Sequence, residues 1–437
     1  MTRELNSRWP LVLWRTIPVD DISDEVAAML LDRGLAPALP LQVSSINAAI
    51  ILQASGVPVV LTAGGGVGTS WPYDLERNES LWAYKFDELP SAQTNTPVPT
   101  LFSGWSIAAS QIRNIMASYR EAGVTVDAAW LDYEGLPFQA NYIDAVTSLN
   151  GKEYLPSASL ANPRSFYHYT RRLWINLLST YIAAPIREIY PKASVTNWLA
   201  VLSLPEYPAR SWYGDALPMV GPTMFTATNP VAYGIDTAFN SLIKVNSMTT
   251  QRDVDRAYTK ILLRQVSADS YAINKIAPEL NSVVWVARWV RDDPSKLTPM
   301  MSRSAYREAL RHLWLRGVDA MHIFSPIRKG FTESAIQEIE DAVAVFDEML
   351  EFNDFIEAGE IIQFNYGINN QNPVLWSGLR TENRAIIRSI SFSGKTESIA
   401  VKPWIGEEIT LEVPNEGATF VLYKDVGHNI IKIRTLQ

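Results

Sequence analysis

Short, almost wholly apolar runs alternate with longer stretches of helical periodicity from residue 11 to about residue 352. Near-continuous apolar runs mark strands buried on both faces, as in a parallel sheet. They fall at Leu11–Ile17, Leu35–Gln42, Pro58–Gly64 and Asp127–Glu134, and again at Ser194–Val201, Pro222–Tyr233, Ser282–Val290 and Asp319–Pro326. Between them, Ile107–Ala122 and Ala305–Arg316 carry apolar residues at i, i+3 and i+4, the spacing of one helix face. Arg33-Gly34, Ala122-Gly123 and Arg316-Gly317 read as helix ends with a left-handed glycine cap. Eight strand–helix units over roughly 340 residues predict an α/β fold, a (β/α)8 TIM barrel. A last helix, about Glu333–Phe352, completes the barrel domain at residues 1–352. From Asn353 the pattern becomes short alternating strands (IIQFNYGIN, LRTENRAIIRSISFSG, ESIAVKP, EEITLEVP, TFVLYKD) separated by turn residues. Residues 353–437 therefore predict a small antiparallel β-sandwich.

Composition narrows the chemistry. Of 437 residues, 47% are hydrophobic and 19% charged, enough for a large core and unlike a disordered chain. The net charge of −8 argues against a nucleic-acid partner, which needs basic patches. With no cysteine, disulfides, thiolate nucleophiles and Cys-ligated metals are excluded. The four histidines, His168, His312, His322 and His428, are scattered, so no metal centre is expected. Gly64-Gly65-Gly66-Val67-Gly68 lacks both the Gly-Lys-Ser/Thr ending and the GxGxxG spacing, and no cofactor is expected. No apolar run reaches the roughly 18 residues of a membrane span. The polar N-terminus carries no leader-like apolar region, which fits a cytoplasmic protein or a secreted or periplasmic one whose leader has been removed. Nothing in the sequence fixes the oligomeric state.

Aromatic residues and long loops change the picture. The chain has 14 Trp, 18 Tyr and 14 Phe. The loop after the third strand, Gly65 to about Trp105, carries Trp71, Tyr73, Trp82, Tyr84, Phe86 and Trp105. The loops after the fourth and fifth strands, about 135–164 and 202–221, are also long. In a barrel such loops share the C-terminal face, where active sites are built. Two readings stand side by side: a tryptophan-rich core, and a cleft whose aromatic faces stack on a carbohydrate substrate. Under the second, Trp14 and Arg15 at the end of strand one, Gln42 at the end of strand two, Trp71, Trp105, Trp130, Trp198, Arg288 and Trp289 are candidate substrate-binding residues.

The sharpest local signal is Trp130-Leu131-Asp132-Tyr133-Glu134-Gly135. Asp132 and Glu134 are two apart on a strand and so share one face, with Trp130 in the same row. Two close carboxylates raise each other's pKa, keeping one protonated as a general acid. Glycosidases need a pair of carboxylates. The seventh strand holds no acid, the nearest being Asp292 and Asp293 just beyond it. Both carboxylates then come most simply from strand four. That arrangement suits substrate-assisted hydrolysis, in which the 2-acetamido oxygen of an N-acetylhexosamine attacks. A distant second carboxylate such as Asp292 or Glu206 is an alternative, as is a non-catalytic carbohydrate-binding barrel.

This Asp-x-Glu resembles the pair in hyaluronidases and chitinase-like glycosidases. Asp127, Asp132 and Glu134 fall on three of the four acids of the pattern Asp-x-x-Asp-x-Asp-x-Glu, with Trp130 at the remaining place. Ser282–Val290, then Tyr306-Arg307-Glu308-Ala309-Leu310, then Leu315-Arg316-Gly317-Val318-Asp319-Ala320 are similar to the end of a hyaluronidase barrel. The resemblance implies a glycoside hydrolase with Glu134 as acid/base and Asp132 orienting the acetamido group. It also implies a tyrosine from a later strand near the sugar, for which Tyr233 is best placed.

Overall fold

The computed structural model describes residues 11–14, 17–65, 73–74, 79–80, 103–133, 142–147, 152–153, 155–208, 210–211, 214–215, 217–218, 223–233, 248–288, 300–324, 332–368, 371–424 and 430–436. Its first part is the expected barrel. The strands are β1 (Leu11–Leu13), β2 (Leu35–Pro40), β3 (Val60–Thr62), β4 (Ala128–Tyr133), β5 (Ser194–Asn197), β6 in two pieces (Ala227–Thr228 and Val231–Tyr233), β7 (Asn281–Ala287) and β8 (Ala320–Ile323). All neighbours pair in parallel from β6 through β7, β8, β1, β2, β3 and β4 to β5. The β5–β6 seam is bridged by backbone hydrogen bonds, Thr226 N to Val195 O at 2.9 Å and Leu199 N to Asn229 O at 3.1 Å.

Helices α1 (Asp24–Arg33), α2 (Ile46–Ala54), α3 (Ser103–Glu121), α4 (Pro163–Leu178), α5 (Gln251–Ile276), α6 (Arg303–Trp314) and α7 (Thr332–Leu350) alternate with the strands. Local chemistry sets their ends. Ser23 caps α1 by accepting from Val26 N, and Ser302 caps α6 by accepting from Ala305 N at 3.2 Å. Gly34, Gly123 and Gly317 all take positive φ, as the sequence predicts. Among the described residues no helix is long and apolar enough to cross a membrane.

Register fixes which side chains face the barrel interior. Val12 pairs with His322 and Ala36, Ala38 with Val60, Val60 with Ala128, Trp130 with Thr196, and Trp285 with His322. Rings from β1, β4, β7 and β8 meet there. The His322 ring lies 4.1 Å from Trp285 and 5.5 Å from both Trp14 and Trp130, centroid to centroid. Only side chains inside the barrel converge from strands on opposite sides.

After α7 the chain departs from the expected pattern before meeting it again. A short helix, α8 (Asn353–Ala358), stands where only β-structure was expected. Among the described residues of the segment IIQFNYGIN only Ile361 is strand, at the end of β9 (Glu360–Ile361). Beyond it, Asn365 N donates to the Gln363 side chain and Gly367 N to the Asn365 side chain, both at 2.7 Å. These local bonds take backbone donors that a ladder would have used. Then follow β10 (Val374–Arg380), β11 (Arg384–Ser391), β12 (Glu397–Val401), β13 (Ile409–Val413), β14 (Ala418–Lys424) and β15 (Ile430–Leu436). A five-stranded antiparallel sheet in the order β9-β10-β11-β14-β15 faces the β12–β13 hairpin across a small core containing Ile387, Trp404, Leu411 and Phe420. The opposite face of the sheet, with Leu379, Ile386 and Val421, joins the barrel's own core.

Polar groups cross this seam too. Arg316 is fully buried. Its guanidinium donates to Ser377 Oγ, Ser267 Oγ and Asn365 O at 2.7 Å each, and to Trp376 O at 3.1 Å. Among the described residues no carboxylate pairs with it, and burial lowers its pKa to about 10.

Candidate functional site

Rings cluster at the C-terminal end of the barrel, those of Trp14, Trp285 and Tyr233 buried. Trp14 lies 4.8 Å from Trp285, and Tyr233 stacks on Phe324 at 5.3 Å. Phe324 is 5.7 Å from Trp285. Trp130 lies deeper, its Nε1 donating to Ser194 Oγ at 3.1 Å. The barrel interior beneath is partly polar. Thr62 Oγ1, Thr196 Oγ1 and both ring nitrogens of His322 are buried with no hydrogen-bond partner among the described residues. Burial alone lowers the His322 pKa to about 3, so the ring is neutral at physiological pH.

Asp132 is buried and, two residues along from Trp130, faces the same interior. Its backbone is held against the third strand's extension, with Asp132 N donating to Ala63 O at 2.9 Å and Gly64 opposite it in register. The next peptide is fixed from two sides. Asn197 Oδ1 accepts from Tyr133 N at 3.0 Å, while Asn197 Nδ2 donates to Tyr133 O at 3.2 Å. Trp174 Nε1 also donates to Tyr133 O, at 3.1 Å. One carboxamide thus grips both polar groups of the residue between Asp132 and Glu134. A second asparagine works similarly across the barrel. Asn229 accepts from Trp285 Nε1 and donates to Val283 O, at 2.6 Å for the latter. Between them Leu199 sits at φ 60°, a left-handed conformation unusual for a branched residue and held by its bond to Asn229 O.

The sequence-predicted residues fare differently. Asp132, Trp14, Trp130, Trp198 and Tyr233 are brought to strand ends or the barrel interior. Gln42 is exposed just past β2, its backbone carbonyl accepting from Tyr119 Oη at 3.1 Å. Trp105 does not line the mouth. It lies in the first turns of α3, 1% exposed and edge-on to Trp174 at 5.9 Å, because the helix starts four residues before the expected Ile107. Arg288 does not reach toward Asp132. Its Nε donates to Met301 O at 2.9 Å and its backbone N to Glu338 at 3.0 Å, since β7 turns Trp285 and Ala287 inward and Arg288 outward. Glu206 is exposed in the loop after β5. Glu134, Arg15, Trp71, Trp289 and Asp292 lie outside the described residues. Asn229 and Phe324 escape sequence reasoning. Their only signal is placement at strand ends, which every barrel strand shares.

No protein-family model matches the chain, and no curated protein matches it. Solved structures with a similar course include a cyclic α-maltosyl-(1→6)-maltose hydrolase from Arthrobacter globiformis, with TM-score 0.45 and 10% identity, covering 92% of this chain and 89% of that one. A trehalose-6-phosphate hydrolase from Bacillus licheniformis gives TM-score 0.47 and 9% identity, covering 95% and 100%. An endoxylanase from Clostridium papyrosolvens gives 0.42 and 10%, covering 94% and 96%. Those activities belong to those proteins; the function of this chain is argued from its own residues.

Proposed function

We propose that the chain is a glycoside hydrolase that binds a poly- or oligosaccharide at the C-terminal mouth of the barrel. The observation that carries this is Asp132, a buried carboxylate facing the barrel interior, at the same end of the barrel as the largely buried Trp14–Trp285–Tyr233–Phe324 ring cluster. Burying an acid at the end of an apolar strand is costly without a task for it. Aromatic faces suit the apolar faces of sugar rings. In this proposal Glu134 is the general acid that protonates the leaving oxygen. Asp132 orients and stabilises the acetamido group of an N-acetylhexosamine, whose carbonyl oxygen attacks the anomeric carbon. The glycosidic bond breaks as that new C–O bond forms, and water then opens the cyclic intermediate with Glu134 taking its proton. The Asn197–Tyr133 clamp supports the reading, because acid catalysis needs its donor held within hydrogen-bond reach of the leaving oxygen.

The test is hydrolysis of aryl N-acetylhexosaminides, aryl hexosides and a panel of oligosaccharides by the purified protein, beside its Glu134→Gln and Asp132→Asn variants. Glu134→Gln is expected to lose about 10²–10⁴-fold in kcat, since the amide keeps the shape without the proton. Asp132→Asn is expected to lose most on acetamido sugars. Wild-type turnover by Glu134→Gln would remove the assignment. Equal loss by Asp132→Asn on sugars with and without the acetamido group would remove the substrate-assisted step.

A further inference from the structure

A cavity of about 540 Å³ opens outside the barrel where the first turns of α5 and α6 meet the end of β11 and the turn before β14. Arg252, Arg307 and Arg311 reach it from the helices, Ser391 and Asn415 from the sheet, and Phe392 supplies an apolar wall. Because α5 and α6 begin after β6 and β7, it lies on the same rim of the barrel as the candidate site but on the outer side of the strands.

Two of the three acids lining this cavity are already engaged. Both oxygens of Glu308 accept from Arg388, and Oε2 also accepts from Arg311. Asp255 accepts from Ser302 N and Ser302 Oγ, both at 2.7 Å, and from Gln251. Glu416 is the third acid and is exposed. Arg311 is held by Glu348 and Glu308, whereas the other two arginines are less occupied. Arg252 donates once, to Ser393 O at 2.7 Å. Arg307 makes no hydrogen bond among the described residues. Its nearest acid, Asp341, lies 4.0 Å away and is already held by two 2.8 Å bonds from Arg303. An arginine carries five N–H donors and no acceptor. The cavity therefore has a surplus of charged donors, with hydroxyl and amide groups beside them and one aromatic wall.

We propose that this cavity is a binding site for an acidic sugar, whose carboxylate or phosphate is taken by Arg307 and Arg252 while a ring face lies against Phe392. A guanidinium fork matches both anions in geometry. Ser391 and Asn415 offer partners for ring hydroxyls. The site does not depend on the chemistry proposed at Asp132 and Glu134, and it is tested by binding alone.

The experiment is isothermal titration of the full-length protein with glucuronate, glucose 6-phosphate, neutral glucose and inorganic sulfate, repeated on Arg307→Gln and Phe392→Leu. Arg307 has no hydrogen bond to lose and its 4.0 Å pair with Asp341 is secondary to that of Arg303, so Arg307→Gln is expected to change the melting temperature only slightly, which a thermal melt of the variant checks. One or both acidic sugars are expected to bind saturably, with glucose and sulfate each at least about tenfold weaker. The stronger arm identifies the anion as carboxylate or phosphate. Arg307→Gln is expected to weaken that binding by about tenfold or more, and Phe392→Leu to weaken the sugar without altering sulfate. Absence of saturable binding by either acidic sugar would overturn the proposal. So would unchanged affinity in Arg307→Gln, or sulfate binding as tightly as the sugars.

Discussion

Arg388 on β11 and Glu308 on α6 form a two-pronged ion pair across the barrel–sandwich seam, with Nε and Nη2 2.7 and 2.8 Å from the two carboxylate oxygens. Both side chains are nearly inaccessible to solvent. Burial pushes the Glu308 carboxyl up, but His312 and Arg388 outweigh it and hold the carboxyl well below the usual range. Removing one partner of a buried pair strands the other charge. Because Arg311 and His312 remain beside Glu308, Arg388→Met should destabilise the protein by less than the roughly 3–5 kcal/mol of a fully stranded charge, read in chemical denaturation. Adding Glu308→Gln should recover part of that loss, the remainder reflecting Arg311, which would then lose one of its acids.

His322 makes a prediction about acid. Its folded pKa is lowered to about 3, against an unfolded value near 6.5. The unfolded chain therefore binds the proton more readily, and stability is lost as pH falls from about 6.5 toward 3. At pH 4.5 this one ring accounts for roughly 3 kcal/mol of the loss. His322→Leu removes two unpartnered nitrogens and the titration together. Its stability relative to wild type should improve steadily as pH is lowered, read from denaturation midpoints between pH 7 and pH 4.5. A constant difference across that range would contradict the assignment.

Asp269 on α5 titrates with the opposite sign. Burial raises its pKa to about 7, against hydrogen bonds from Thr228 and Leu202 that lower it. A raised folded pKa means stability that is present below about pH 4 and lost as pH climbs through 7. Asp269→Asn cannot ionise, and its amide meets donors rather than acceptors. The variant should be less stable than wild type at pH 5, with the gap narrowing by pH 8.5.

Asn197 carries a third kind of prediction. Asn197→Ala leaves Tyr133 N–H without its acceptor inside the barrel wall, a loss of about 1–3 kcal/mol in unfolding free energy. Asn197→Asp keeps that acceptor but sets a carboxylate against Tyr133 O, and should be worse than alanine. An alanine variant as stable as wild type would show that the clamp does not hold the end of β4.

The barrel was legible in the sequence because parallel strands buried on both faces leave long apolar runs, and Gly34, Gly123 and Gly317 punctuate them. Strand ends were less so. Among the described residues of the run Leu11–Ile17 the strand is Leu11–Leu13, with Trp14 N still donating to Ile323 O. The row Trp130, Asp132 followed from period two alone. Trp105 did not, because a tryptophan at a loop–helix junction reads the same whether it faces sugar or α4. The seam was invisible. Glu308 and Arg388 are 80 residues apart, and nothing local to either marks a buried partner.

Arg316 bears on how this architecture was inherited. A fully buried guanidinium that takes three of its four acceptors, Ser377 Oγ and the carbonyls of Asn365 and Trp376, from beyond the barrel leaves the barrel without self-sufficiency. Severing the chain near residue 352 would expose that cation and the apolar side of α6 at once, so the excised barrel should be recovered as aggregate rather than as a folded fragment. The appendage is thus no interchangeable module. A recombinant in which another β-sandwich replaces it would need to reproduce three specific acceptors, and shuffling at this boundary would be tolerated only among chains that already share them.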